Sequence, residues 1–205
     1  MRIDLKKDRK DLYRPGTAEF EQVDIGPMTY LAVDGHGDPN TAQQYFHAVT
    51  TLYSTAYAIR AAFTTRTGDD FVVGPLEGLW ASDDPSAFTQ GRKQDWNWSM
   101  LIPLPGEVGT LDIELGRAKV RANKPQLDHD LLQVRTLQEG RCLQILHIGG
   151  YDSEAPTLAR LHHEVMPALG LTFNGDHHEI YLSDPRKVPP EKLKTILRQP
   201  VTAAG

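Results

Sequence analysis

Apolar positions along the chain follow two different spacings, and each spacing predicts an element. Met28-Thr29-Tyr30-Leu31-Ala32-Val33 is a nearly continuous apolar run, read as a strand that stops at Gly35-His36-Gly37-Asp38-Pro39. From about 40 to 66, Phe46, Val49, Leu52, Tyr53, Ala56, Tyr57, Arg60 and Phe63 recur in three- and four-residue steps, the stripe of an amphipathic helix. Strands are expected at Phe71 to Trp80 and at Asp95 to Leu104, the second with Trp96, Trp98, Met100 and Ile102 on one face. A helix over 106–125 turns Leu111, Leu115, Ala118 and Ala122 inward and ends at Pro125. Strands at about 130–137 and 141–149 flank Glu139-Gly140, read as a hairpin turn. A second amphipathic helix spans about 154–168, with Ser153 as its N-cap and Leu158, Leu161, Val165 and Ala168 inward.

The closing strand, His177-His178-Glu179-Ile180-Tyr181-Leu182, ends at Ser183-Asp184-Pro185. Alternation puts His178, Ile180 and Leu182 on one face and His177, Glu179 and Tyr181 on the other. With the Ile/Leu face toward the core, a carboxylate stands between an imidazole and a phenol. That triplet suits general acid/base work or holding a cation, and it equally suits an ordinary solvated face.

The two halves echo each other. Leu31-Ala32-Val33-Asp34-Gly35-His36-Gly37-Asp38 precedes the first helix as Ile145-Leu146-His147-Ile148-Gly149-Gly150-Tyr151-Asp152 precedes the second. After each helix come a glycine, a glutamate and an aromatic residue: Gly74, Glu77 and Trp80 against Gly175, Glu179 and Tyr181. The expected fold is α+β. A duplicated strand-helix-strand-strand unit forms an antiparallel sheet with two main helices on one face and a central ligand cleft on the other. Residues 1–19 read as a polar lead-in and 20–205 as one domain, with repeats at about 20–105 and 126–202 joined by a helix.

Composition narrows the classes. The 205 residues are 40% hydrophobic and 24% charged, ordinary for a globular protein. A net charge of −5 argues against general nucleic-acid binding, which needs a basic surface. No apolar run approaches the roughly 20 residues of a membrane span, and the charged N-terminus lacks the apolar stretch of a secretory signal. Cys142 is the single cysteine, set in an apolar run where a structural thiol is expected; a reducing cytoplasm is the default location.

Glu77-Gly78-Leu79-Trp80, His147-Ile148-Gly149-Gly150-Tyr151-Asp152-Ser153-Glu154 and His178-Glu179-Ile180-Tyr181-Leu182-Ser183-Asp184-Pro185 together resemble the GyrI-like small-molecule-binding family, over about residues 20 to 202. The resemblance implies the duplicated two-helix fold and places Glu179 in a pocket with aromatic residues around it. It also implies three activities found among such proteins: effector binding, modulation of DNA gyrase, and hydrolysis of the cyclopropane ring of DNA-alkylating compounds. Ala81 departs from the pattern, since many relatives carry a second aromatic residue after Trp80. No helix-turn-helix fits before the first repeat, so a fused transcription regulator is not expected.

Glu179 and Tyr181 are the candidate catalytic residues. Glu179 would take a proton from a water attacking a strained carbon, and Tyr181 would stack on the ligand or donate to a developing oxyanion. The candidate ligand contacts are Trp80, Trp96, Trp98, Tyr53, Tyr57, Glu77 and His177. The tryptophans read equally as core beneath the helices, both helix tyrosines as core, and His177 as solvated. His162-His163-Glu164 lacks the second histidine of a zinc-protease helix, because Pro167 stands there, and no metal or organic cofactor is implied. The expected partner is a flat lipophilic or aromatic small molecule, with gyrase contact as a further reading and neither nucleic acid nor membrane. Hydrolysis of a cyclopropane-bearing genotoxin leads, and a non-catalytic sensor of amphipathic cations is the alternative.

Overall fold

The computed structural model describes residues 1–84, 90 and 92–205. Its strands run in the order β1 (Arg2–Ile3), β2 (Glu21–Ile25), β3 (Met28–His36), β4 (Asp70–Phe71), β5 (Leu76–Ala81), β6 (Asn97–Leu104), β7 (Gln133–Leu137), β8 (Gly140–Ile148), β9 (Leu171–Phe173), β10 (His177–Tyr181) and β11 (Lys194–Ala203). The chain divides into two compact units, Met1–Asp8 with Met28–Leu137 and Arg9–Pro27 with Gln138–Gly205.

The internal echo is a topological repeat. In the first unit the order is long strand, helix Gln43–Thr67, short strand, strand, long strand; β5 pairs with β6 and β6 with β3, all antiparallel. In the second unit the same order recurs from β8 through β11, with β10 on β11 and β11 on β8. Each half adds one antiparallel strand at the matching edge, β7 on β3 and β2 on β8. The fold is thus α+β with antiparallel sheet in both halves, as the duplicated pattern predicts.

Glu139-Gly140 is not a hairpin turn. The strands either side of it pair elsewhere, β7 with β3 and β8 with β2 and β11. The expected strand from Phe71 to Trp80 is likewise two pieces, β4 and β5, and β4 lies parallel to β1.

In the first unit the long helix buries Ala48, Thr51, Leu52, Thr55, Ala56, Ile59 and Phe63, and leaves Phe46 and Tyr57 exposed. Small and β-branched side chains therefore form much of the packed stripe, where larger apolar ones are expected. Trp98 packs edge-on against Tyr45 of this helix, with ring centroids 5.3 Å apart. Its indole also lies across the backbone of Gly35, its partner in the β-ladder. A Cβ there would sit 2.1 Å from Trp98 Cη2, so only glycine admits the ring.

The helix Thr110–Asn123 turns a different side inward from the one its leucines indicate. Asp112, Ile113, Gly116 and Val120 are buried, and Leu111 and Leu115 are exposed. Arg66 donates two hydrogen bonds to the Asp112 carboxylate, at 2.7 and 2.6 Å, and the Gly109 amide donates a third at 3.0 Å. Gly116 meets Ile59 so closely that a Cβ would stand 2.4 Å from its Cγ1. A paired acid and a missing side chain set this interface, and neither registers in an apolar pattern.

The second amphipathic segment is broken. Ala155–Arg160 is α-helical, Leu161–Val165 is one π-helical turn, and Met166–Ala168 resumes the α-helix. The wider turn advances the inward face by one residue, so Leu161 and Met166 are buried while Ala168 is exposed. Ser153 does not cap this helix; its hydroxyl donates to the Gly150 carbonyl at 2.6 Å. Residues 1–19 are also more than a polar lead-in. β1 and two short helices, Leu5–Asp8 and Lys10–Tyr13, form there, and Leu12 is 0% exposed. No helix among the described residues is long and apolar enough to cross a membrane.

Candidate functional site

Strand alternation in β10 separates two environments. Across the ladder Glu179 faces Leu197 and Tyr181 faces Thr195, while Leu197 faces Ile145 and Gln199 faces Leu143 on β8. His177, Glu179 and Tyr181 therefore share a sheet face with Leu143, Ile145, Thr195, Leu197 and Val201. Leu161, Met166 and Leu171 pack on Leu143 and Val201 at one end of that face. Glu179 thus stands beside the second helix, on the side of the half-sheet that the helix covers.

The opposite face carries His178, Ile180, Gln144 and Arg198. Glu139 accepts a hydrogen bond from Arg198 Nη1 at 3.3 Å and lies 2.9 Å from His178 Nδ1. Arg198, 1% exposed, also donates to the Leu12 carbonyl at 2.9 Å and to Gln144 Oε1 at 3.1 Å. Burial pushes the Glu139 carboxyl up, yet the His178 and Arg198 charges and hydrogen bonds outweigh it and hold the group at about 2. This network ties the short helix Lys10–Tyr13 to the sheet and fixes β10 from behind.

On the near face Tyr181 donates its phenolic proton to Glu179 Oε2 at 2.9 Å. His177 Nε2 stands 3.6 Å from Glu179 Oε1, just beyond hydrogen-bond length. The second ring beside Tyr181 is Tyr151, edge-on at 5.7 Å between centroids and 41% exposed overall; partial loss of hydration at its hydroxyl, with Glu154, Glu179 and Asp184 nearby, pushes that group up to about 12. Glu154 is 4% exposed, and its Oε1 has no hydrogen-bond partner among the described residues. Although Glu154 is the N-cap residue of the helix Ala155–Arg160, its side chain makes no capping hydrogen bond and pairs with Thr195 on β11. Burial first, and the nearby Glu179 charge second, raise the Glu154 carboxyl well above the ordinary carboxylate value. His162, on the π-helical turn, packs edge-on to Phe173 at 4.9 Å, and burial aided by His177 and His163 pushes it down to about 4.

Within the second unit, then, the expected residues His177, Glu179 and Tyr181 are brought together. The other candidates belong to the first unit. Trp80 packs edge-on to Trp96 at 5.5 Å, and Trp98, 2% exposed, lies beneath the long helix. Trp96 itself precedes β6 rather than sharing the strand face of Trp98, Met100 and Ile102. Tyr53 and Tyr57 stack at 6.4 Å, with Tyr57 exposed, so this pair is not core. Glu77 is buried on β5, on the face opposite Trp80 by strand alternation. A shallow depression on the loop near Arg121, lined also by Leu127, Asp128 and Asp130, contains none of these residues.

Sequence reasoning did not single out Glu154, Tyr151 and Thr195. Tyr151 and Glu154 stand three apart at the start of a helix, a spacing that puts both on one side. An acid in a helix's first turn ordinarily reads as a partner of the helix dipole, which hides any other role. Thr195 faces Tyr181 only once the β10–β11 register is known.

Comparison with known proteins places this chain in a family. Residues 18–202 match the model of the GyrI-like small molecule binding domain. A conserved, uncharacterized protein from Listeria innocua is 38% identical, with a TM-score of 0.89 over 98% of this chain and all of that one. A protein from the same organism described as a hydrolase is 37% identical, with a TM-score of 0.83 and the same coverage. The C-terminal domain of EcmrR shares the fold at 9% identity, with a TM-score of 0.57 over 91% of this chain and 98% of that one. Among curated proteins none matches the chain. The chain belongs to the GyrI-like small-molecule-binding family.

Proposed function

We propose that this protein binds a flat, lipophilic, electrophilic small molecule and hydrolyses it by adding water to a strained carbon, with a cyclopropane conjugated to a carbonyl as the substrate class. The observation that carries this reading is the Tyr181–Glu179 hydrogen bond of 2.9 Å with His177 alongside. Tyr181 holds one carboxylate oxygen in place, and the remaining lone pairs of Glu179 are left to orient a water. Attack on a strained ring needs an oriented water and a shielded site more than elaborate machinery. The water oxygen bonds to the ring methylene as the ring C–C bond breaks. The bonding pair moves into the conjugated carbonyl, and Glu179 takes a proton from the water. Tyr151 and Tyr181 supply the aromatic wall. The hydrolase description of a 37%-identical relative agrees with this reading.

A second reading is favoured by Glu154 and Glu179 lying beside two tyrosines: a non-catalytic site for an amphipathic cation, with carboxylate and ring faces as the counter-charge. Glu179→Gln separates the two. With a cyclopropane-bearing alkylator followed by mass spectrometry, the variant should bind the neutral compound and fail to consume it. Weakened binding of tetraphenylphosphonium, without consumption of any alkylator by the wild-type protein, would favour the cation site instead.

A further inference from the structure

The hydrolytic reading leaves one end of the reaction unserved. When the ring opens, the carbonyl oxygen becomes an enolate and needs a proton. Tyr181 has its hydroxyl proton committed to Glu179. The Tyr151 hydroxyl is a weak acid in this setting. Glu154 is different: it is buried, and among the described residues its Oε1 has no hydrogen-bond partner. The groups around it among the described residues are Glu179 from β10, Thr195 from β11, Tyr151 with Asp152 from the turn that precedes it, and His147 of β8, which faces Thr195 across the ladder and lies 3.0 Å from Ser153 Oγ. Two of these are carboxylates, and burial pushes the His147 imidazole below its ordinary value, so it competes less well for the proton. Its side chain makes no capping hydrogen bond to the helix Ala155–Arg160 and turns toward Thr195 and a second carboxyl.

From this geometry we infer that Glu154 and Glu179 work as an acid and base pair sharing one proton, which rests on Glu154 in the free protein and is delivered by Glu154 to the ligand. The inference rests on the hydrolytic reading for its chemistry, but the shared proton itself does not. In the reaction Glu179 accepts one proton from the attacking water while Glu154 gives one to the enolate oxygen. The product is substrate plus one water, and transfer of the proton from Glu179 back to Glu154 restores the starting state. Two carboxyls in unlike surroundings, one buried with a free oxygen and one held by a phenol, divide the labour in this way, one as acid and one as base.

Infrared difference spectroscopy of the intact protein at neutral pH tests the proton directly. The wild type should show the carbonyl stretch of an unionised carboxylic acid, and Glu154→Gln should lack it. Turnover of a cyclopropane-bearing alkylator should fall by about 100-fold or more in Glu154→Gln. The alkaline fall of the wild-type pH–rate profile should vanish, with binding of the intact alkylator retained. An absent acid band in the wild type, or a Glu154→Gln variant with the wild-type rate and profile, overturns the inference. A wild type that consumes no alkylator sinks the hydrolytic reading, and the band then decides alone whether the pair shares a proton.

Discussion

Tyr181 and Glu179, two residues apart on β10 and on the same sheet face, are joined by a 2.9 Å hydrogen bond from phenol to carboxylate. The bond gives the carboxylate a fixed orientation while leaving its second oxygen beside His177. Tyr181→Phe keeps the ring and removes only the donor. A hydrogen bond to a charged group contributes about 1.5–3 kcal/mol. Turnover should therefore fall by about 10- to 100-fold while ligand affinity changes less than about threefold, measured as single-turnover rate against equilibrium binding. A variant that loses affinity and keeps its rate would make Tyr181 a binding wall only.

Glu154 has a consequence for stability as well. Its folded-state carboxyl is raised, so the native protein holds a proton that the unfolded chain releases above about pH 4.3. Stability contributed at this position is therefore lost as pH rises through neutrality, by at most about 1.4 kcal/mol per pH unit. Glu154→Gln removes that dependence. Thermal melts should show the variant gaining on the wild type between about pH 5.5 and 8, and a constant difference over that range would contradict the assignment.

The buried network behind β10 titrates in the other direction. Glu139 is held at about 2, so its contribution is fully present above the unfolded carboxylate value of about 4.3 and is lost as pH falls toward 2. Arg198→Ala leaves a buried carboxylate with His178 alone and frees the Leu12 carbonyl. It should cost about 3–5 kcal/mol in chemical denaturation at neutral pH. Because Leu12 is anchored through this arginine, protease cleavage near the N-terminus should accelerate in the variant.

Gly116 sets the spacing of two helices in the first unit. Alanine in an ordinary helix interior is favoured over glycine by about 1 kcal/mol. Here its Cβ would lie 2.4 Å from Ile59 Cγ1 and 2.7 Å from the Ile59 backbone nitrogen, so backbone must move. Overpacking costs about 1–3 kcal/mol, and the clash outweighs the propensity. Gly116→Ala should lower the melting temperature, and a rise would show that the helices separate freely.

What was legible in the sequence follows from how local each signal is. Strand alternation has a period of two, so Glu179, Tyr181 and His177 fall on one face with no knowledge of the fold. The repeated order of strand, glycine turn, helix and returning strands is local too, and it carries the architecture. The helix faces were misread where polar or small residues do the packing: Thr51 and Thr55 beneath the long helix, and Asp112 and Gly116 at the helix pair. The π-helical turn at Leu161–Val165 moves Met166 inward by one added residue, which a 3.6-residue period does not contain. Glu154 escaped because its meaning depends on Thr195 and Glu179, which only the folded ladder brings to it.

The most direct measurement is a single turnover of a cyclopropane-bearing alkylator in water enriched with oxygen-18, followed by mass spectrometry. The product should carry one heavy oxygen at the former ring carbon, and Glu179→Gln should bind the compound and return it unchanged. Recovery of intact substrate from the wild-type protein, or equal label incorporation by wild type and Glu179→Gln, would contradict the assignment of Glu179 as the base.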